Sequence, residues 1–139
     1  MSAQENKTTI QRWVEEAWND GNFASASEMY SPGYVLHDIT GPVNGAEGLK
    51  RFITVFRTGY PDLHFTIEDM IAEGDKVAWR FTVRGTHRGE LMGIPPTGKQ
   101  VTVPGMVCSR FANGKWEEDW SNFDALGMLQ QLGVIPARG

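Results

Sequence analysis

An Asn113–Gly114 pair in the last quarter of the chain constrains the fold more than any other feature of the sequence. Asn-Gly favours the tight two-residue turn of a β-hairpin, because both positions of that turn require positive φ. Residues 100–111 before the pair and residues 115–123 after it have strand-like composition. The sequence therefore predicts two antiparallel strands joined at this pair.

The turn also sets a register, and this register places carboxylates among apolar side chains. An acid in such surroundings has a raised pKa, as a general acid or base near neutral pH requires. For Glu117, the alternative to a catalytic role is a salt bridge with Arg110 on the neighbouring strand. For Glu118 and Asp119, structural and functional roles both stay open. A β-bulge would shift the register. The predicted pairs are Ala112–Lys115, Phe111–Trp116, Arg110–Glu117, Ser109–Glu118, Cys108–Asp119, Val107–Trp120 and Met106–Ser121.

Helical patterns dominate the front third of the chain, and strand patterns dominate the back half. A Thr8/Gln11 capping box precedes apolar residues at helical spacing, and Asn44 with Glu47 begins a second such run. This order predicts an α+β fold with helices on one face of a curved antiparallel sheet, whose open end is a common small-molecule site. The predicted helices cover residues 8–21, 23–30, 44–59 and 124–132, and the predicted strands cover 34–38, 63–71, 76–84, 100–111 and 115–123.

Length and charge narrow the function classes. The chain has 139 residues, which we interpret as a single domain over 1–139. Its net charge of −4 argues against a nucleic-acid or anionic-membrane partner, since both need a basic surface. No apolar run is long enough to cross a bilayer and the first residues lack a signal pattern, so we expect a cytoplasmic protein.

Several familiar chemistries find no support in the residue pattern. The histidines His37, His64 and His87 are too widely spaced for a local metal motif, so we predict no metal site. Cys108 lies in mid-strand, where an inert apolar role is expected. Five Trp and seven Phe indicate either a plain core or an apolar ligand cavity.

Four segments together resemble a known family, the SnoaL-like polyketide cyclases of the NTF2-like superfamily, to which ketosteroid isomerase also belongs. They are GTHRG at residues 85–89, LMGIPPTG at 91–98, the hairpin at 110–115 and QQLG at 130–133. The resemblance implies a cone-shaped α+β barrel, with a curved antiparallel sheet wrapped around N-terminal helices. It also implies cofactor-free and metal-free closure of a polyketide ring by an intramolecular aldol reaction, and a homodimer or homotetramer.

The resemblance also suggests site residues, with one departure from the family pattern. The place of the family's acid–base aspartate is occupied by Ser121, and Asp119 lies two residues earlier, on the same strand face. We expect Asp119 to be the base and Ser121 its hydrogen-bond partner, with His37, His87 or Arg80 donating to an enolate. The residues predicted to contact a small apolar or aromatic substrate are Trp79, Trp116, Trp120, Phe52, Met106, His87 and Glu118.

Three other interpretations stay open at this stage. Some relatives without the aspartate are associated with ring hydroxylation. The chain could instead be a non-catalytic binding module for an apolar metabolite. It could also be a scaffold domain that associates through the open face of its sheet.

Overall fold

The computed structural model describes residues 2–136, which form helices packed on one face of a curved, unclosed sheet. The predicted α+β class is confirmed. No helix in this part of the chain is long and apolar enough to span a membrane. The helices are α1 (Ala3–Trp13), α2 (Ala26–Met29), α3 (Gly45–Gly59) and α4 (Ala125–Leu132); the strands are β1 (Tyr30–Asp38), β2 (Gly41–Asn44), β3 (His64–Glu73), β4 (Lys76–Thr86), β5 (Gln100–Ala112) and β6 (Lys115–Phe123).

The sheet has the strand order β2-β1-β6-β5-β4-β3. Contrary to the prediction, it is not wholly antiparallel. β1 and β6 run parallel, with Leu36 beside Asp119 and His37 beside Trp120. This arrangement arises because α3 carries the chain across to β3 at the far edge, and the β3–β6 meander then returns to β1. The C-terminal ends of β1 and β6 consequently lie at the same end of the sheet.

The N-terminal helix begins earlier than the sequence pattern predicts. Ser2 is its N-cap and forms a capping box with Glu5, each bond being 3.1 Å long. Thr8 lies inside α1, where its hydroxyl donates to the Gln4 carbonyl, so the predicted Thr8 cap is wrong. A π-helical segment over Val14–Asn19 continues α1, and Gly21 follows at a φ of +69°.

The hairpin follows the predicted register for two pairs, and then a β-bulge intervenes. Beyond Phe111–Trp116 the pairing skips Glu117, so that Arg110 lies beside Glu118 and Ser109 beside Asp119. The pairs predicted beyond this point are therefore wrong by one residue. The bulge has a consequence for the site, because Trp116 and Asp119, three positions apart, come to share the interior face of β6.

The last helix, predicted over 124–132, lies at Ala125–Leu132. The Asp124 carboxylate accepts from the Gly127 amide at 2.9 Å and caps the start of α4. Gly133 ends the helix at a φ of +82°, a left-handed conformation that glycine adopts without strain. α4 packs against β5 and places Met128 in the cavity wall.

Candidate active site

An apolar cavity of about 90 Å³ lies between the helices and the inner face of the sheet. One water molecule needs ~10–15 Å³ on this measure, so the space is several times larger than a site for a single water, and it opens to solvent at one end. Its wall is rich in aromatic side chains from helices and strands, among them Trp13, Trp18, Phe52, Phe65, Trp79 and Trp116. Partly exposed lining residues, among them Phe56, Ser121 and Phe123, mark an open end at the C-terminal ends of β1 and β6.

The carboxylate of Asp119 is a buried polar group in this wall, with 5% of the residue exposed. Its Oδ1 accepts from the Ser109 hydroxyl at 2.5 Å and from the Trp116 indole N–H at 2.8 Å. Its Oδ2 accepts from the Tyr34 hydroxyl at 2.5 Å. Trp79 extends the network by donating its indole N–H to Ser109 Oγ at 3.0 Å. Four strands, β1, β4, β5 and β6, thus hold this carboxylate in place.

Burial dominates the acidity of Asp119. Desolvation raises the pKa of its carboxyl from 3.8 to about 6, although the hydrogen bonds from Ser109, Tyr34 and Trp116 each lower it. Burial and the charge of Asp119 raise the pKa of Tyr34 well above 10, so the phenol stays a donor. Within the described residues, Oδ2 takes one hydrogen bond and keeps a lone pair free to accept a proton.

The structure brings five of the predicted site residues together in the cavity wall: Asp119, Ser121, Trp79, Trp116 and Phe52. Ser121 follows Asp119 on the same face of β6, nearer the open end. The prediction that Ser121 is the hydrogen-bond partner of Asp119 is wrong, because among residues 2–136 that carboxylate accepts from Ser109, Trp116 and Tyr34. Two positions along a strand span ~6–7 Å, so one substrate can contact both side chains.

Four predicted site residues, His37, Glu118, Trp120 and Met106, lie on the outer face of the sheet, and the prediction that they contact the cavity is wrong. Strand alternation explains this, since each is next to an inward-facing residue such as Leu36, Asp119 or Val107. His37 Nε2 lies 2.6 Å from Glu118 Oε2, and its ring stacks on Trp120.

The bulge also changes the partners of Glu117 and Glu118. Arg110 pairs with Glu118 at 3.2 Å, not with Glu117 as predicted. Glu117 instead accepts from the Ser31 hydroxyl at 2.8 Å. The hydrogen bonds from His37 and Arg110 lower the pKa of Glu118 and outweigh the partial burial that raises it.

His87 is fully buried but lies behind the cavity wall, which corrects its predicted contact with substrate. Its Nδ1 accepts from the Thr97 amide at 3.2 Å, and its ring lies 5.8 Å from that of Tyr60, which lines the cavity. His87 therefore anchors the loop after β4. Arg80 is exposed and pairs with Asp69 at 2.8 Å on the outer face, so it is not an enolate donor either.

Three polar residues near the cavity were missed as site residues: Tyr34, Ser109 and Asp38. Tyr34 and Ser109 donate to Asp119, and Asp38 lines the cavity near its open end. Strand alternation alone places Tyr34, Leu36 and Asp38 on one face, but the face toward Asp119 depends on the parallel β1–β6 pairing. Within residues 2–136, no group of three or more His, Cys, Asp or Glu side chains is arranged to hold a metal ion.

Comparison with known proteins gives consistent results. The family model for SnoaL-like polyketide cyclases matches residues 8–132. The chain is 25% identical to aklanonic acid methyl ester cyclase DnrD of Streptomyces peucetius over 130 residues, covering 88% of this chain and 87% of that one.

Two solved structures extend the comparison to the fold. AclR, a proposed hydroxylase from Streptomyces galilaeus, superposes with a TM-score of 0.87 at 31% identity, covering 99% of this chain and 87% of that one. A protein of ketosteroid isomerase-like fold from Catenulispora acidiphila DSM 44928 gives a TM-score of 0.75 at 18% identity, covering 90% and 92%. The predicted NTF2-like fold is confirmed.

Proposed function

The chain belongs to the SnoaL-like polyketide cyclase family, and we propose that it catalyses cofactor-free acid–base chemistry on an apolar, polyketide-like carbonyl substrate. The reaction is an intramolecular aldol cyclisation or an isomerisation through an enolate. One observation carries this proposal: Asp119 is a carboxylate in the wall of an apolar cavity, with a pKa raised to about 6 and a free lone pair on Oδ2. A base of this kind is matched to reaction near neutral pH.

In the proposed reaction Asp119 takes a proton from the carbon next to a substrate carbonyl. The C–H electron pair forms the enolate, and the proton rests on Oδ2. The enolate carbon then attacks a second carbonyl carbon of the same molecule, forming the C–C bond. The alkoxide that results takes the proton back from Asp119, so no co-reactant is consumed. Holding the two carbons together and excluding water supply much of the rate.

Hydrogen-bond donors for the enolate oxygen come from the cavity wall in this proposal. Ser121 presents a hydroxyl on the same face as Asp119, toward the open end. Tyr34 donates to Oδ2 at rest. Once Asp119 holds the substrate proton, its negative charge is gone and the Tyr34 hydroxyl is free to turn toward the enolate. Donors placed where charge develops stabilise the transition state.

The first experiment measures proton abstraction without requiring the natural substrate. Wild-type protein is incubated with 2-tetralone, an enolisable bicyclic ketone, in D2O, and loss of the α-proton signal is followed by NMR. We expect the Asp119→Asn variant to lower the exchange rate by about 10²- to 10⁴-fold while tetralone affinity survives. Asp75→Asn, in the exposed β3–β4 turn, is the matched control and keeps the wild-type rate. Equal rates for wild type and Asp119→Asn contradict the proposal.

The same proteins are then offered aklanonic acid methyl ester, the compound in the name of the relative from Streptomyces peucetius. Ring closure leaves the mass unchanged, so substrate and product are separated by chromatography. Closure by wild type and its loss in Asp119→Asn support a cyclase with this substrate class. Proton exchange without closure leaves the acid–base role in place and excludes this ester as substrate.

A hydroxylation-associated role is the second candidate. Two points favour it. The family resemblance implies that Ser121 occupies the place of the cyclases' acid–base aspartate, and AclR, which is 31% identical to this chain, is a proposed hydroxylase. Incorporation of labelled oxygen from ¹⁸O2 into a polyketide substrate, in the presence of a reductant, distinguishes this role from aldol chemistry. Ligand-dependent protection against thermal unfolding with neither exchange nor oxygenation would indicate a binding module instead.

We propose a second copy of the chain as the partner of the outer sheet face. One transverse row of that face combines an imidazole with apolar side chains, with Ile71 74% and Trp120 39% exposed. Ion pairs Arg80–Asp69 and Arg110–Glu118 flank the row, so the face carries both charge signs and suits a self-complementary contact. The row consists of His37, Trp120, Cys108, Ala78 and Ile71.

A further inference from the structure

Asp38 is a second carboxylate of the cavity, and one of its oxygens lacks a donor. It is the last residue of β1, at the open end. Its Oδ2 accepts from the Thr40 amide at 3.0 Å and from the Thr40 hydroxyl at 2.5 Å. Its Oδ1 is buried and has no hydrogen-bond partner among residues 2–136. The two bonds from Thr40 fix the carboxylate, and Oδ1 is the oxygen they leave free.

A buried carboxylate oxygen without a donor destabilises a folded protein, because it gives up its hydration without replacement. The turn at Thr40 needs only Oδ2, so local structure does not account for the free oxygen. A ligand that brings its own donor into the cavity would satisfy Oδ1.

We propose that Asp38 is a ligand-binding residue whose Oδ1 accepts a hydrogen bond from a hydroxyl group of the substrate, a phenol or an enol on an apolar ring. This inference rests on the proposed function of the cavity and names the substrate class more closely. A hydroxyl fits better than a primary ammonium group, since Oδ1 can accept from only part of its three N–H donors and the surrounding wall is mostly apolar.

The fold sets the spacing between the two carboxylates. Leu36 pairs with Asp119 across neighbouring strands, and Asp38 lies two positions further along β1. With strands ~4.8 Å apart and a rise of ~3.3 Å per residue, the Cα atoms of Asp38 and Asp119 lie about 8 Å apart. The substrate would therefore carry its hydroxyl toward the open end and its reacting C–H deeper, separated by about the width of a fused ring system.

Matched ligands test the hydroxyl contact in the intact wild-type protein. Isothermal titration calorimetry near neutral pH compares 2-naphthol, which donates a hydrogen bond, with 2-methoxynaphthalene, which has the same rings and oxygen but no donor. A hydrogen bond to a charged group predicts that naphthol binds about tenfold or more tightly than the ether. Equal affinities of the two ligands would overturn the assignment of Asp38.

Variants locate the contact. In Asp38→Asn the amide oxygen stays with the Thr40 donors and the NH2 group faces the cavity, so the preference for naphthol falls to about one or reverses. Asp119→Asn keeps the tenfold preference if Asp38 is the acceptor. Asp75→Asn, the exposed control, also keeps it. Loss of the preference in Asp119→Asn and its survival in Asp38→Asn would overturn the proposal and assign the hydroxyl to Asp119.

These outcomes separate this inference from the proposed function. If neither naphthalene ligand binds wild-type protein but Asp119→Asn lowers the exchange rate in tetralone, the role of Asp38 fails and the acid–base role stands. If neither ligand binds and the exchange rates are equal, both proposals fail. If both bind equally and Asp119→Asn abolishes exchange in tetralone, the acid–base role stands and the role of Asp38 fails. The melting temperature of unliganded Asp38→Asn is measured alongside. We expect it to equal or exceed that of wild type, because the substitution removes a carboxylate whose buried Oδ1 lacks a donor.

Discussion

Replacement of Asp119 by Asn is expected to change how the stability of the protein depends on pH. The side chain is nearly isosteric, and its amide oxygen can still accept from Ser109 and Trp116. The substitution removes the titratable group but not the buried shape. The comparison of wild type with this variant therefore isolates one carboxyl group, because every other titrating side chain is present in both proteins.

The magnitude follows from the acidity of the buried group. The pKa of Asp119 rises from 3.8 to about 6 in the folded protein. A tenfold change in proton affinity corresponds to about 1.4 kcal/mol, so the change in folding free energy is roughly 3 kcal/mol. This is a large share of the 5–15 kcal/mol that is typical of the stability of a domain.

The direction follows from which state holds the proton. Between these two pKa values the unfolded chain loses its proton while the folded protein retains it. The stabilising contribution of protonated Asp119 is thus fully present below pH ~3.8 and is lost as the pH rises through about 6. Wild-type stability minus variant stability should therefore fall by roughly 3 kcal/mol across this range and stay constant above pH ~7.

The assay is urea unfolding at a series of pH values, followed by tryptophan fluorescence. Asp75→Asn serves as control and is expected to show the pH dependence of wild type. A difference between wild type and Asp119→Asn that does not change with pH would refute the reasoning. A difference that grows with pH would show that the three hydrogen bonds outweigh burial and lower the pKa of Asp119.

Further predictions concern rate, assembly and packing. The exchange rate in 2-tetralone should rise with pH around a midpoint of about 6, the pKa of Asp119. Tyr34→Phe should move this midpoint upward, because it removes a hydrogen bond that lowers the pKa of Asp119. An unchanged midpoint in this variant would contradict the prediction. Trp120→Glu should convert oligomers to monomers in sedimentation velocity while exchange persists; unchanged sedimentation excludes that interface. Gly105→Ala places a Cβ 2.2 Å from the Phe81 ring and should lower the free energy of unfolding in urea by about 1–3 kcal/mol. Gly33→Ala is the control, because its added Cβ has no neighbour within 4 Å, and it should lower this free energy by less than about 1 kcal/mol. Equal losses in the two variants would show that contact with Phe81 does not set the cost.

Local signals in the sequence determined most of the elements. The Asn113–Gly114 turn and the bounds of β6 match the prediction, and α4 matches the predicted helix over 124–132 to within one residue. Each of these features depends on residues that are near one another in the sequence. β2 was not predicted and the second helix shrinks to Ala26–Met29. These are short segments, and their conformation depends on what they pack against.

The position of Asp119 was only partly accessible from the sequence. The family resemblance directs attention to β6, and strand alternation separates its two faces. The bulge at Glu117 then decides which residues share a face with Trp116. Within the strand segment on each side of a bulge, side chains still alternate between the two faces. The bulge changes only which residues of one segment share a face with residues of the other, so alternation along the sequence does not reveal it. Met106 was misplaced for this reason, since the predicted register paired it with Ser121 on the face of Asp119, whereas it pairs with Asn122. Trp120 and Glu118 are adjacent to Asp119 in the chain, so alternation alone places them on the opposite face.

The remaining features of the site were decided by tertiary structure. Tyr34 and Asp38 reach the site through a parallel pairing between strands separated by about eighty residues of chain, and no local pattern specifies that pairing. The acidity of Asp119 depends on how completely helices and strands exclude water from its carboxylate. The sequence by itself determined where strands and helices form and that a carboxylate lies among aromatic residues. Long-range packing decided which face that carboxylate occupies, which donors it meets and how strongly it holds its proton, because each depends on groups brought together only by the fold.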